Sequence, residues 1–349
     1  MIDFTQAKIL NVSAHVVGNG VNGEKLKLST EPLDVESEGL EQILVKYFLS
    51  NFTAPEYYRF TSEDDNYRVN PVFNFSAAVF SRPQTFHENS VNIAQHLYNT
   101  TLLPTIRPGE LYVAHISGVK IENQITDAVG IFKAESKSSY LKLNTSSATF
   151  KLKVDTGTNI QKLDKGCLIF NLDKETGFNI LAVDALNKSE AQFWMNDFLC
   201  LAPRAGSYHQ TRSFLDLTRQ YVDEQMADEF QVSKADKIDL LNRSMNFFKS
   251  KDQFDKHEFE AEVLEDPSVI ESFRNYERTM SAREDNVDNV DNFEISAQAV
   301  KKQVRVFKSV LKLDKNFHIY IHGNRELIER GFDEVTNKHY YKIYFDQET

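Results

Sequence analysis

The sequence predicts an α+β fold: a mainly antiparallel sheet in the N-terminal part, a helical middle region and a small C-terminal β unit. Three observations carry this prediction. Residues 110–184 break into short β-rich runs separated by hairpin-length turns, which favours an antiparallel sheet over a doubly wound one. From residue 189 the apolar side chains recur at helical spacing, and beyond residue 300 the period returns to that of strands. A chain of 349 residues is long enough for two domains of ordinary size. The change in pattern places the expected division at an α+β domain over 1–188 and a helical region with its C-terminal β unit over 189–349.

In chain order, Ile9, Val12, Val16 and Val17 precede the turn signal NGVNG, and KLKLS follows at 25–29. Asn-Gly tolerates the positive φ of tight turns, so a β-hairpin is predicted over 7–29. Between Ser37 and Asn51, Leu40, Ile43, Leu44, Tyr47 and Phe48 fall on one helical face. A second helix spans His87 to Thr100, with Val91, Ile93, Ala94 and Leu97 inward, and Pro104 and Pro108 close that region. The strands that follow are LYVAHISGVKI, DAVGIFKA, YLKLNT, TFKLKV, KGCLIFNL and FNILAVD, with DTGTN and DKETG as turns. Helical runs then begin at SEAQFWMNDFL and continue through RSFLDLTRQYVDEQMADEF, KADKIDLLNRSMNFFKS and FDKHEFEAEVL. The last, PSVIESFRNYERTM, has Pro267 well placed for a helix start. The acidic stretch 284–292 reads as an exposed linker. At the C-terminus, two strands are joined at Asp314-Lys315-Asn316. A short helix, NRELIERG, ends at Gly331, and HYYKIYF supplies a last strand.

Composition narrows the chemistry. No run approaches the ~20 apolar residues of a membrane helix, and MIDFTQAKILNVSAHVV lacks the pattern of a signal peptide, so a cytoplasmic protein is expected. Two cysteines, Cys167 and Cys200, exclude a disulfide scaffold and a four-thiolate zinc site, and both lie in apolar runs where a thiol stays inert. The chain contains no GxSxG, P-loop or GxGxxG motif, and Asp184, considered as a general acid, has no partner in sequence. His318 and His322 stand four apart on a strand, about 13 Å, which is too far to share a metal with His339. DKHEFEAE lacks the second histidine of a metalloprotease helix, and Asp285, Asp288 and Asp291 lack the spacing of a calcium loop. The reading is therefore of a non-enzymatic protein without cofactor or metal.

The net charge of −11 argues against a protein that coats nucleic acid non-specifically. Against that background, Lys301, Lys302, Arg305, Lys308, Lys312 and Lys315 cluster with Asp314 as the only acid among them. Such a stretch can hold phosphates as point charges, and Phe307, Phe317 and Tyr320 are interleaved where they could stack on bases if they face outward. The plainer reading is a sheet edge whose lysines prevent pairing with another chain.

Three segments together resemble the bacterial nucleoid-associated protein family typified by NdpA. AHVVGNGVNGEKLKLSTEPLDV followed by LEQILVKYFLS is similar to the family's opening strand, His-containing turn, second strand and helix. GELYVAHISGVK through DAVGIFKAES to GFNILAVD is similar to its central sheet. FEISAQAVKKQVRVFKSVLKLDKNFHIYIHGNRELIERGFDEV with HYYKIYF resembles its C-terminal part. The resemblance implies association with the bacterial nucleoid, a cytoplasmic location and no catalytic residues. It carries no list of DNA contacts, so Lys301, Lys302, Arg305, Lys308, Lys312 and Lys315 rest on the charge argument alone. DNA is the expected partner, reached directly or through a DNA-bound protein. The alternative is a protein scaffold that uses an acidic helical surface around Asp223, Glu224, Asp228 and Glu229. Helix-rich surfaces allow a homodimer, although no heptad pattern specifies one.

Overall fold

The computed structural model describes residues 2–35, 39–53, 56–62, 64–121, 123–145, 150–184, 192–230, 232–283, 291–304, 310–313, 315–320 and 327–347. The fold is α+β: a curled antiparallel sheet, a helical middle and small C-terminal strands. The chain divides into two compact units, Met1–Arg204 and Ala205–Thr349.

The elements of the first unit run β1 (Ile2–Asp3), β2 (Lys8–Val17), α1 (Leu40–Leu49), β3 (Tyr58–Phe60), α2 (Pro71–Ser81) and α3 (Phe86–Thr100). They continue with β4 (Gly109–Ile121), β5 (Gln124–Ala134), β6 (Lys137–Asn144), β7 (Lys151–Thr158), β8 (Lys165–Phe170), β9 (Asn179–Asp184) and β10 (Leu201–Pro203). The sheet order is β1-β4-β5-β8-β9-β3-β10, every pair antiparallel. β2 shares the β4 edge with β1, pairing from Val17 opposite Gly109 to Lys8 opposite Ser117.

This sheet is buried on both faces, which is why its central strands read as nearly continuous apolar runs. Leu111, Val113, Val129, Ile131, Cys167, Ile169 and Ile180 point to one side and meet α2, α3 and the π-helical turn Phe193–Phe198 with its Trp194. Ala114, Ile116, Ala128, Phe132, Leu168, Phe170 and Leu181 point to the other, where α1 supplies Tyr47 and Phe48. Phe48 stacks on Phe132 with ring centroids 4.2 Å apart. α2 begins on a capping signal that local sequence contains: Asn70 accepts from the Phe73 N–H at 3.0 Å, and Pro71 occupies the first turn.

A polar seam runs where α3 crosses β2. Ser13 Oγ lies 2.9 Å from His87 Nδ1, and His15 Nε2 lies 3.1 Å from Ser90 Oγ. Burial, helped by the nearby His87, lowers the His15 pKa to about 4 and keeps the imidazole neutral. His15 sits within strand β2 and not in a turn.

The predicted hairpin over 7–29 is corrected. The long-range ladder with β4 takes nearly the whole length of β2, leaving a single bridge between Val16 and Lys27. NGVNG forms a 3-10 turn over Gly20–Asn22, capped by Asn19, whose Nδ2 donates to the Leu103 and Ile106 carbonyls at 2.9 and 2.8 Å.

β6 and β7 belong to no larger sheet. They form a two-stranded ribbon, inserted in sequence between β5 and β8 and paired from Lys137 opposite Thr158 to Asn144 opposite Lys151. Glu110 on β4 anchors its base, accepting from Tyr112 and Thr158 hydroxyls at 2.8 and 2.6 Å and pairing with Lys137. Burial pushes the Glu110 pKa upward, but the hydrogen bonds from Lys137, Thr158 and Tyr112 outweigh it and hold the carboxyl below its ordinary range.

The second unit contains α4 (Ser207–Asp223), α5 (Gln225–Glu229), α6 (Lys234–Ser250), β11 (Gln253–Asp255), α7 (Lys256–Phe259), a π-helical turn (Glu260–Leu264) and α8 (Pro267–Arg283). β12 (Asn292–Glu294), α9 (Ala297–Gln303), β13 (Val310–Leu313), β14 (Phe317–Tyr320), β15 (Ile328–Asp333) and β16 (Lys338–Ile343) complete it. Its core is aromatic: Phe214 and Phe259 meet edge to face at 4.9 Å, and Phe254 stacks on Phe293 at 4.5 Å. A second, smaller cluster joins Ile238 of α6 to Leu311 and Ile328 of the terminal hairpins.

The helix predicted at NRELIERG is also corrected. Residues 321–326 lie outside the described residues, and Ile328–Asp333 is a strand with six antiparallel partners in Lys338–Ile343. Gly331 does not end a helix. It faces Tyr340, whose ring would lie within 2.2 Å of any Cβ added there. Much of the predicted linker, 284–290, lies outside the described residues.

Candidate nucleic-acid interface

The basic stretch is distributed over three elements. Lys301 and Lys302 are exposed in the last turn of α9, where positive charge complements the helix dipole. Their positions follow from packing. Ser296 caps the helix by accepting from the Ala299 N–H at 3.4 Å, and Ala299, Val300 and Gln303 are buried, which turns the two lysines outward. Lys312 is in β13, in register with His318 of β14, although its side chain is outside the described residues. Lys315 is exposed in the turn between those strands. Arg305 and Lys308 lie outside the described residues, as does Phe307.

β13 and β14 hold one apolar side and one open side. Leu311 is buried and Leu313 and Ile319 pack with it, whereas His318 and Tyr320 are exposed, and Phe317 is exposed near the turn. Of the three aromatic residues considered for stacking, Phe317 and Tyr320 are both 64 % exposed.

The other residues singled out in sequence have structural partners. Asp184 is buried beside Lys165, 3.8 Å from its Nζ, in a cluster where Glu135 Oε1 lies 2.8 Å from Lys133 Nζ and 3.2 Å from Lys165 Nζ. These side chains are closed to solvent, and the carboxylates balance the ammonium groups, as enclosed charge requires. Asp255 caps α7 by accepting from the Glu258 N–H at 2.9 Å. Glu260 accepts two hydrogen bonds from Arg274, at 2.7 and 2.6 Å, and these hold its carboxyl below the usual range. His257 projects into solvent. Burial pushes the Cys167 thiol well above its ordinary pKa. His318 is exposed, His339 contacts Phe332 with ring centroids 5.0 Å apart, and His322 lies outside the described residues. Among the described residues no group of three His, Cys, Asp or Glu is placed to hold a metal ion.

The acidic residues Asp223, Glu224, Asp228 and Glu229 are all exposed; Glu224 accepts from the Tyr276 hydroxyl at 3.0 Å and Glu229 accepts from Ser272, and neither bond neutralises the carboxylate.

Sequence reasoning passes over a second group of basic residues, Lys142, Lys151 and Lys153 on the β6–β7 ribbon, all exposed. The visible signal is the alternation of lysine with leucine or valine in YLKLN and KLKV. That alternation reads as a strand with one buried face, and it conceals that both faces are open.

Among the described residues no helix is long and apolar enough to cross a membrane. One protein-family model, described as nucleoid-associated protein YejK, matches residues 13–343. No curated protein matches the chain significantly.

Proposed function

This chain belongs to the nucleoid-associated protein family described by the name YejK, and from that premise we propose that it works without catalysis as a DNA-contacting component of the bacterial nucleoid. The observation that carries this reading is the outward presentation of Lys301 and Lys302 at the end of α9, together with the exposed Lys315. Arg305, Lys308 and Lys312 extend the same stretch in sequence. Six cations in fifteen residues supply point charges for phosphates, which position a protein on a duplex without reading its bases. A cytoplasmic, nucleoid-bound location follows from the same reading. The net charge of −11 confines such contact to local basic segments, because acidic residues outnumber basic ones over the chain as a whole.

The test is duplex binding by the full chain at low salt beside the variant Lys301→Glu/Lys302→Glu/Lys312→Glu/Lys315→Glu. The expected result is a loss of affinity of at least about tenfold. Equal affinity of the two proteins contradicts the assignment of this stretch. Absence of binding by the unaltered chain points instead to attachment through a DNA-bound protein.

A further inference from the structure

We infer that the β6–β7 ribbon is a second DNA-contacting element, whose lysine face rests on the phosphate backbone of a duplex; this rests on the DNA-contact reading above. The pairing register sorts its side chains without ambiguity, because residues directly opposite in an antiparallel pair project to the same face. Leu141 opposes Val154 and Leu143 opposes Leu152, giving one aliphatic face. Tyr140 opposes Asp155, Lys142 opposes Lys153 and Asn144 opposes Lys151, giving the other.

Two features of the second face point to an anionic occupant. Lys142 and Lys153 stand directly across from each other, an arrangement that costs free energy in an isolated ribbon and is relieved by an anion between or beside them. Lys151 continues the row two residues along, about 6.6 Å away. The one acid on this face, Asp155, accepts from the Thr156 N–H at 3.0 Å. Among the described residues, no ion pair involves Lys142, Lys151 or Lys153. Lys137, by contrast, is spent on Glu110 at the ribbon's base, so the cations left for a partner are those farther along the arm.

The ribbon is suited to reach a partner. It stands outside the main sheet, is anchored at its base through Glu110, and exposes every residue of β6 and most of β7. A two-stranded ribbon also has the width to lie along a groove of duplex DNA. Lysines on such a ribbon discourage pairing of its open edges with other chains; that role predicts no dependence of DNA affinity on them, so the two are separable by experiment.

The experiment compares the salt dependence of duplex binding for four full-length proteins: the unaltered chain, Lys142→Gln/Lys151→Gln/Lys153→Gln, the four-site Glu variant of the C-terminal stretch, and Leu141→Ser/Leu143→Ser/Leu152→Ser/Val154→Ser. The substituted ribbon residues are exposed, so the variants retain the fold, which circular dichroism checks. The expected result is that the three-lysine variant has a slope of log affinity against log salt shallower by about three. The aliphatic variant keeps the slope of the unaltered chain. A three-lysine variant indistinguishable from the unaltered chain, in a protein that binds DNA, overturns the ribbon assignment and leaves the C-terminal one standing. Loss of binding in the aliphatic variant alone overturns the lysine-face assignment in favour of the opposite face. No binding by the unaltered chain overturns both readings at once.

Discussion

His15 illustrates how single residues in this fold trade solvent for specific partners. Its ring is enclosed between β2 and α3, next to Ser90 and within 6.1 Å of the His87 ring, and its pKa falls to about 4. The unfolded chain protonates this residue near pH 6.5 and the folded one only near pH 4. The unfolded state therefore binds more protons between those values, and folding stability falls as pH drops through that window. The loss attributable to His15 is at most ~3 kcal/mol, complete once pH is below about 4 and absent above about 6.5. Melting of the unaltered chain and of His15→Gln at pH 7 and pH 4.5 should reveal a smaller acid-induced decrease in the variant. Parallel decreases would show that His15 does not contribute. Lys142, Lys151 and Lys153 are the opposite kind of residue, exposed and, among the described residues, in no ion pair. Their individual identities were legible in sequence, but their shared face was not, because that face is created by the register between β6 and β7.

At the scale of elements, the sequence is legible wherever the signal is local or the burial symmetrical. The six strands between 109 and 184 emerge from β-rich runs, and α3 from the spacing of Ile93, Ala94 and Leu97. Two readings fail where strand pairing overrides the local pattern. β2 passes over the nearby KLKLS to pair with β4, some hundred residues on, and IERGFD pairs with KHYYKI although its own spacing resembles a helix. α2 is absent from the predicted elements although Asn70-Pro71 announces it. In the second unit, Phe259 joins α7 to the aromatic core and is fully buried. Phe259→Ala should cost that unit about 3–5 kcal/mol through the lost contacts and the cavity left behind. Trp194, the chain's single tryptophan, lies in the first unit. The part of the helical circular-dichroism signal contributed by the second unit should therefore melt earlier, while the first unit's helices and tryptophan fluorescence keep their transition. A common shift in both signals contradicts independent unfolding of the two units.

For the whole molecule, the fold class and the family are both present in the sequence as patterns of residue types, and the family match across residues 13–343 gives them a name. The proposed contact residues are less accessible to sequence. The C-terminal basic stretch stands out by composition, while the ribbon's lysines stand out only once strands are paired. Both groups lie in a chain of net charge −11, so the proposed DNA contact is concentrated in small cationic areas. Such an arrangement makes affinity steeply dependent on salt, because each phosphate neutralised releases counterions and added salt also weakens steering. The most direct measurement is the affinity of the unaltered full chain for a duplex between about 50 and 200 mM salt. Direct phosphate contact predicts a straight logarithmic decline with a slope of about −3 or steeper, similar for duplexes of unrelated sequence. A slope near zero, or no binding at the lowest salt, contradicts direct phosphate contact.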